Sequence, residues 1–187
     1  MKKLLAVIFL SAAIISNAQT EIKDFSLTDV KSGKAVSLAN YKSSAGIAVV
    51  FTSHECPFDN YYKDRLKGLV NSYSGKIQFL LINSNQEVEE DVSQMAIHYG
   101  DLGVPYLADK DQIAMGTFGA RKSPEVFLLS AANGKFTVAY SGAIDDNPQA
   151  ASDAKQNFLK DAMDKLIAGQ KIEPATQRAV GCTIRKK

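Results

Sequence analysis

The feature that most constrains the fold is an alternation of short, β-branched apolar runs with stretches of helical period. Ile47-Ala48-Val49-Val50-Phe51 is short, apolar and rich in β-branched residues, so it reads as a buried strand. Cys56-Pro57 follows, and then Tyr61, Tyr62, Leu66, Leu69, Val70 and Tyr73 recur at helical spacing until Ser74-Gly75 ends the pattern. Ile77 to Ile82 is a second buried strand. A helix is expected over Glu87 to Tyr99, with Val88, Val92, Met95, Ala96 and Tyr99 on its apolar side, and a shorter one over Gln112 to Phe118. Val126 to Leu129 and Phe136 to Tyr140 read as strands around Asn133-Gly134, a dipeptide suited to a tight hairpin turn. Asp146-Asn147-Pro148 is read as opening a last helix, in which Phe158, Leu159, Ala162, Met163, Leu166 and Ile167 repeat before Gly169 closes it. The order β-α-β-α-β-β-α predicts an α/β chain: a central mixed sheet, parallel in its βαβ part and flanked by helices, with an antiparallel hairpin at one edge.

Residues 1–18 read as an address rather than as part of that fold. Lys2 and Lys3 precede an apolar stretch from Leu4 to Ile15, and Ser16 and Ala18 put small residues at the −3 and −1 positions before Gln19. That is the order of a cleavable secretory signal peptide. The apolar run is well short of the ~20 residues needed to span a bilayer, so no stable membrane anchor is expected. Residues 24–170 then form one domain, and 171–187 a polar, mobile tail that carries Cys182. Of 22 Lys+Arg against 20 Asp+Glu, two lysines lie in the address, which leaves the rest balanced. A basic stripe able to hold nucleic acid is therefore not supported. Export, to a periplasmic or extracellular compartment, makes the presence of only two cysteines in the chain informative, because disulfides persist there.

The chemistry gathers at Cys56. It lies between a strand and the following helix, where unpaired backbone N–H groups and the macrodipole favour a thiolate. Pro57 suits the first helical position. Asp59 stands where a dithiol site would carry its second cysteine; a carboxylate there cannot resolve a mixed disulfide and opposes thiolate formation. Its expected role is to cap the helix. His54 and His98, with Cys56 and Asp59, are weighed as soft metal ligands, but the expectation is no metal site. Arg65 is expected in a solvated ion pair with Asp64.

FTSHECPFDNYYKDRL, then LLINSN, Pro105-Tyr106-Leu107-Ala108-Asp109, Ser123-Pro124-Glu125, Ile144-Asp145-Asp146-Asn147-Pro148 and Val180-Gly181-Cys182-Thr183-Ile184, resemble the thioredoxin-like superfamily. The nearest likeness is to its peroxiredoxin-like redoxin branch, related to the alkyl hydroperoxide reductase and thiol-specific antioxidant family. The resemblance implies a thioredoxin-like fold and thiol-dependent oxidoreductase activity, with Cys56 as nucleophile toward a hydroperoxide or a protein disulfide. It implies an external thiol reductant and no organic cofactor. Ser53, Pro57 and Pro124 would line the substrate pocket, with the Ser123–Pro124 bond cis. Val49 stands where peroxiredoxins proper carry proline, and Asp59 breaks the Cys-x-x-Cys of thioredoxins proper. Cys182 remains open between a resolving thiol, one half of a permanent bridge to Cys56, and an unpaired thiol. The rival to the enzyme is a non-catalytic thioredoxin-fold binding module with a structural disulfide.

Overall fold

A computed structural model describes residues 20–99, 102–132 and 134–187. The signal peptide expected over residues 1–18 and Asn133 of the expected turn lie outside them. Strands β1 (Glu21–Ile22), β2 (Ser26–Asp29) and β3 (Ala35–Ser37) precede the strand β4 (Gly46–Phe51) and helix α1 (Pro57–Ser72). Then come β5 (Ile77–Asn83), α2 (Val92–Tyr99), β6 (Tyr106–Ala108), α3 (Ile113–Phe118), β7 (Lys122–Ser123), β8 (Glu125–Ala132) and β9 (Lys135–Gly142). The chain closes with α4 (Phe158–Ile167), β10 (Thr176–Gln177) and β11 (Cys182–Thr183). The main sheet runs β1-β9-β8-β4-β5-β6-β2-β3, with β10 also on β9. Pairing is parallel for β4–β5–β6 and antiparallel for β4–β8–β9, which is the mixed sheet the sequence predicts.

β4 shows why its sequence is apolar without alternation. Ile47, Val49 and Phe51 enter one core cluster with Leu80, Ile82, Phe118 and Phe127. Ala48 and Val50 enter the other, with Phe79, Leu81, Tyr62 and Leu66 of α1, Met95 of α2 and Leu159 and Met163 of α4. Side chains that alternate between two covered faces must all be apolar. The β8–β9 hairpin pairs Ala132 with Lys135, and Gly134 takes φ +74°, the positive dihedral such a tight turn demands.

Three expectations of the chain's course give way. The run from Glu87 to Tyr99 is not one helix: a 3-10 turn at Val88–Glu90 ends at Asp91, whose backbone is extended, before α2 begins. Val88 and Val92 consequently face outward while Met95 is buried. Asp146 opens no helix, because its carboxylate accepts from the N–H groups of Lys155 and Gln156 and closes a loop instead; α4 starts at Phe158. The tail is docked rather than mobile: β10 lies parallel on β9, β11 lies antiparallel on β7, and Ile184 is buried in the core.

Candidate active site

Cys56 is the N-cap residue of α1, with extended backbone angles and Pro57 directly after it. It is bonded to Cys182 of β11, with Cα atoms 5.9 Å apart and a sequence separation of 126. The Cys56 sulfur lies 3.2 Å from the Ser123 carbonyl oxygen. In the disulfide this is a contact without a proton; once reduced, the thiol has an acceptor at that place. Ser123–Pro124 is a cis peptide bond, as the resemblance implies, and Pro124 is buried.

A layer of buried polar groups fixes the loop before Cys56. The Cys56 N–H donates to Ser53 Oγ at 3.0 Å, and Ser53 Oγ donates to Glu90. Glu90 is 2% exposed and also accepts from Asn83 Nδ2 at 2.7 Å and from the backbone N–H groups of His54 and Glu55, each at 3.3 Å. Its carboxylate lies 2.9 Å from His54 Nδ1, and the other ring nitrogen of His54 meets the Glu89 carbonyl. Lys110 reaches the backbone carbonyls of Asn85 and Glu90 at 2.7 and 2.6 Å, and burial pulls its ammonium below the ordinary lysine range. Glu90 was hidden in the sequence because it falls in a stretch read as helix, where it would have pointed elsewhere. The break at Asp91 is what turns it inward.

Asp59 is fully buried in the first turn of α1, and each of its carboxylate oxygens meets a hydroxyl. Thr52 Oγ1 donates to one carboxylate oxygen at 2.7 Å and Ser123 Oγ to the other at 2.5 Å, so it ties the end of β4 to the cis-proline segment beneath the disulfide. Arg65 pairs with Asp145 at 2.6 Å rather than with Asp64, lies 3.8 Å over the Tyr62 ring, and donates to the Asn147 carbonyl at 2.7 Å. Tyr62 donates to Asp145 at 2.7 Å; burial first, and then that hydrogen bond, push its hydroxyl well above the usual tyrosine value. Through these contacts α1 is clamped to the loop at 144–148.

Of the pocket residues expected from sequence, Pro124 lines a cavity of about 80 Å³ with Tyr62, Asp145, Arg178 and Val180. Ser53 is buried on the Glu90 side, with its hydroxyl engaged there, and Pro57 is exposed at the head of α1. The four groups weighed as metal ligands do not converge. Cys56 is in the disulfide and Asp59 faces Thr52 and Ser123, while His98 stacks on His54 with ring centroids 4.4 Å apart. His54, Glu55 and His98 do gather, with their ligand atoms within 4.8 Å of one another.

A mixed sheet whose central strand β4 leads to a cysteine at the head of the first helix, with the carbonyl of a cis Ser-Pro bond 3.2 Å from its sulfur, is the arrangement of one known fold. The fold is that of thioredoxin. No family model and no curated protein matches the chain. Among solved structures, a hypothetical protein from Sinorhizobium meliloti superposes with a TM-score of 0.80 at 29% identity, over 90% of this chain and 94% of that one. An uncharacterized conserved protein from Geobacillus kaustophilus gives 0.82 at 27% identity, over 90% and 92%. A secreted disulfide oxidoreductase of Mycobacterium tuberculosis gives 0.52 at 19%, over 78% and 95%. In this fold the disulfide partner of Cys56 stands in the tail, and Asp59 lies in the first turn of α1, three residues after Cys56.

Proposed function

We propose that the protein is an exported thiol-dependent oxidoreductase in which Cys56 is the nucleophile and Cys182 the resolving thiol. The observation that carries this reading is the Cys56–Cys182 disulfide, set at the head of α1 beside the cis-proline. A helix N-terminus favours the Cys56 thiolate, and Ser123 offers its carbonyl to the sulfur in the thiol form. No organic cofactor is needed, since the dithiol itself carries two electrons. An external thiol reductant returns the disulfide to the dithiol. The substrate we favour is a protein disulfide: the Ser53 hydroxyl, which would face a peroxide three residues before Cys56, is turned instead to Glu90 and accepts from the Cys56 N–H. The resemblance to the peroxiredoxin-like branch supports a hydroperoxide as the second substrate. Export rests on the composition of residues 1–18, with 24–170 as the redoxin domain and 171–187 as the resolving tail; no helix among the described residues is long and apolar enough to cross a membrane.

The test offers the reduced protein, freed of reductant, either hydrogen peroxide or a small disulfide-bonded protein, then quenches with an alkylating reagent and maps peptides without reduction. A Cys56–Cys182 linkage formed faster with the protein disulfide supports the favoured reading, and one formed faster with peroxide moves the protein to the peroxidase reading. Cys56 that stays alkylatable with both leaves a binding module.

A further inference from the structure

Gln112 is the one residue other than glycine among those described whose backbone is left-handed, at φ +55° and ψ +31°. That conformation is unfavourable for any side chain, so it persists only where the surroundings hold it. Gln112 stands at the N-cap of α3 but does not cap it. The fully buried Asp109 takes that role, accepting from the N–H groups of Ala114 at 3.2 Å and Met115 at 2.9 Å, and from Ser84 Oγ at 2.7 Å. The Gln112 N–H donates to the Asp109 carbonyl at 3.0 Å, and its own carbonyl accepts from the Gly116 N–H at 2.9 Å. With its backbone pinned on both sides, the side chain reaches the tail. Its amide donates to the carbonyls of Ser84 at 3.0 Å and Arg185 at 2.7 Å, and its oxygen accepts from the Lys187 N–H at 2.8 Å.

The other contacts of the tail differ in kind. Arg185–Glu87 at 3.8 Å and Lys187–Asp111 at 3.4 Å are exposed ion pairs, which solvent leaves with little strength. Ile184 is 3% exposed in the core cluster with Phe118 and Ala120, and its N–H donates to the Arg121 carbonyl at 3.0 Å. On the other side of Cys182 the tail runs so near Ser123 that a Cβ at Gly181 would collide with its carbonyl. Cys182 therefore lies between a close approach and an anchored run, Ile184 to Lys187, whose backbone takes two hydrogen bonds from Gln112.

We infer that Gln112 is a positioning residue that keeps the tail seated when the disulfide is open, so that Cys182 waits beside Cys56 instead of swinging in from solvent. The inference rests on the proposed exchange and assigns the residue that governs its closing step. Gln112 touches no reacting atom and acts through concentration. A thiol held near its partner closes a disulfide more readily than one on a free tail, and the ratio is its effective concentration. With oxidised glutathione as the oxidant, the Cys56 thiolate attacks one glutathione sulfur, forming a mixed disulfide and expelling the other glutathione as a thiolate. The Cys182 thiolate then attacks the Cys56 sulfur, forming Cys56–Cys182 and expelling the second glutathione. The dithiol loses two electrons and oxidised glutathione gains two, while the two protons pass through solvent to the glutathione thiolates. Gln112 enters at the second attack, where it shortens the search of Cys182 for Cys56.

The test equilibrates the full chain, Gln112→Ala and Gln112→Gly with graded mixtures of reduced and oxidised glutathione, quenches by alkylation and counts the Cys56–Cys182 linkage. Reduced glutathione squared over oxidised glutathione, at half oxidation, is the effective concentration of Cys182 at Cys56. It should fall about tenfold in both variants, a difference of about 1.4 kcal/mol. Glycine accepts the left-handed backbone without steric cost, so the urea midpoint of reduced Gln112→Gly should stay close to that of the reduced parent while its effective concentration falls. A residue with a merely structural role would move both together. In a Cys182→Ser background, Gln112→Gly should leave the alkylation rate of Cys56 unchanged, which places the effect in the tail. Effective concentrations within about twofold of the parent's would overturn the assignment and leave the exchange reading standing, as would an equal loss of Cys56 reactivity in the Cys182→Ser background. A parent linkage that no glutathione mixture opens overturns the exchange reading itself.

Discussion

The interior of the sheet and its end at Cys56 are both buried, yet they are built from opposite materials. Residues 46–51 of β4 are fully enclosed and carry no polar side chain; the next residues, Thr52, Ser53 and His54, are almost as buried and are all polar. In the interior, burial alone is sufficient, because apolar atoms need only fill space. At the end, every buried group needs a named partner, and a missing partner is costly. The difference separates what holds the fold together from what holds the cysteine in place.

The sharpest test of that separation is Phe51→Ala, which empties the contacts of Phe51 with Phe118 and Phe127. It should lower the unfolding free energy by about 4 kcal/mol, read from urea midpoints, and leave the alkylation rate of Cys56 in the folded, reduced protein nearly unchanged. Glu90→Ala should cost about 3 kcal/mol, since it strands Ser53, Asn83 and His54 around an empty position. Unlike Phe51→Ala, it should also raise the Cys56 alkylation rate by loosening the loop at 53–55. Glu90→Gln retains one acceptor oxygen and should fall between the parent and the alanine variant in both readouts.

How much of each region could be read from sequence follows the same division. The interior is written in local patterns: the runs at 47–51 and 77–82, the helical spacing from Tyr61 to Tyr73, and the Asn133-Gly134 turn signal all report elements within a few residues of themselves. The placement of Cys56 at a strand–helix junction was legible for that reason. The polar end is written in pairs far apart in sequence. Glu90 meets Ser53 across 37 residues, Asp59 meets Ser123 across 64, and Arg65 meets Asp145 across 80. No local periodicity marks them, so Asp59 was read as a cap and Arg65 as a partner of Asp64. The strands β2, β3 and β6 escaped for a different reason: four residues or fewer, they show too little alternation to rise above loop. The seat of the tail was invisible because its pairing uses backbone and a glycine.

A smaller effect probes the polar rule away from the cysteine. Asp29 accepts from the Ser32 hydroxyl at 2.6 Å and from the Tyr106 N–H at 3.0 Å. Burial alone would raise its carboxyl, but the Ser32 hydroxyl and the backbone N–H groups overcome it and hold it below the ordinary value. A folded value below the unfolded one means that its contribution is fully present above the unfolded pKa of about 3.9 and is lost as pH falls through the folded value. Asp29→Asn should therefore cost about 1 kcal/mol at neutral pH, and the gap to the parent should narrow below pH 4 in urea titrations.

The central claim is that the polar end holds a disulfide that opens in the folded protein. The most direct measurement equilibrates the purified protein in buffers of graded dithiothreitol ratio without denaturant, follows tyrosine fluorescence for the fold, and counts Cys56 and Cys182 by differential alkylation. The account predicts that both thiols appear together and disappear together on reoxidation while the fold persists. A linkage that yields only as the chain unfolds would contradict it and make the bridge a structural one.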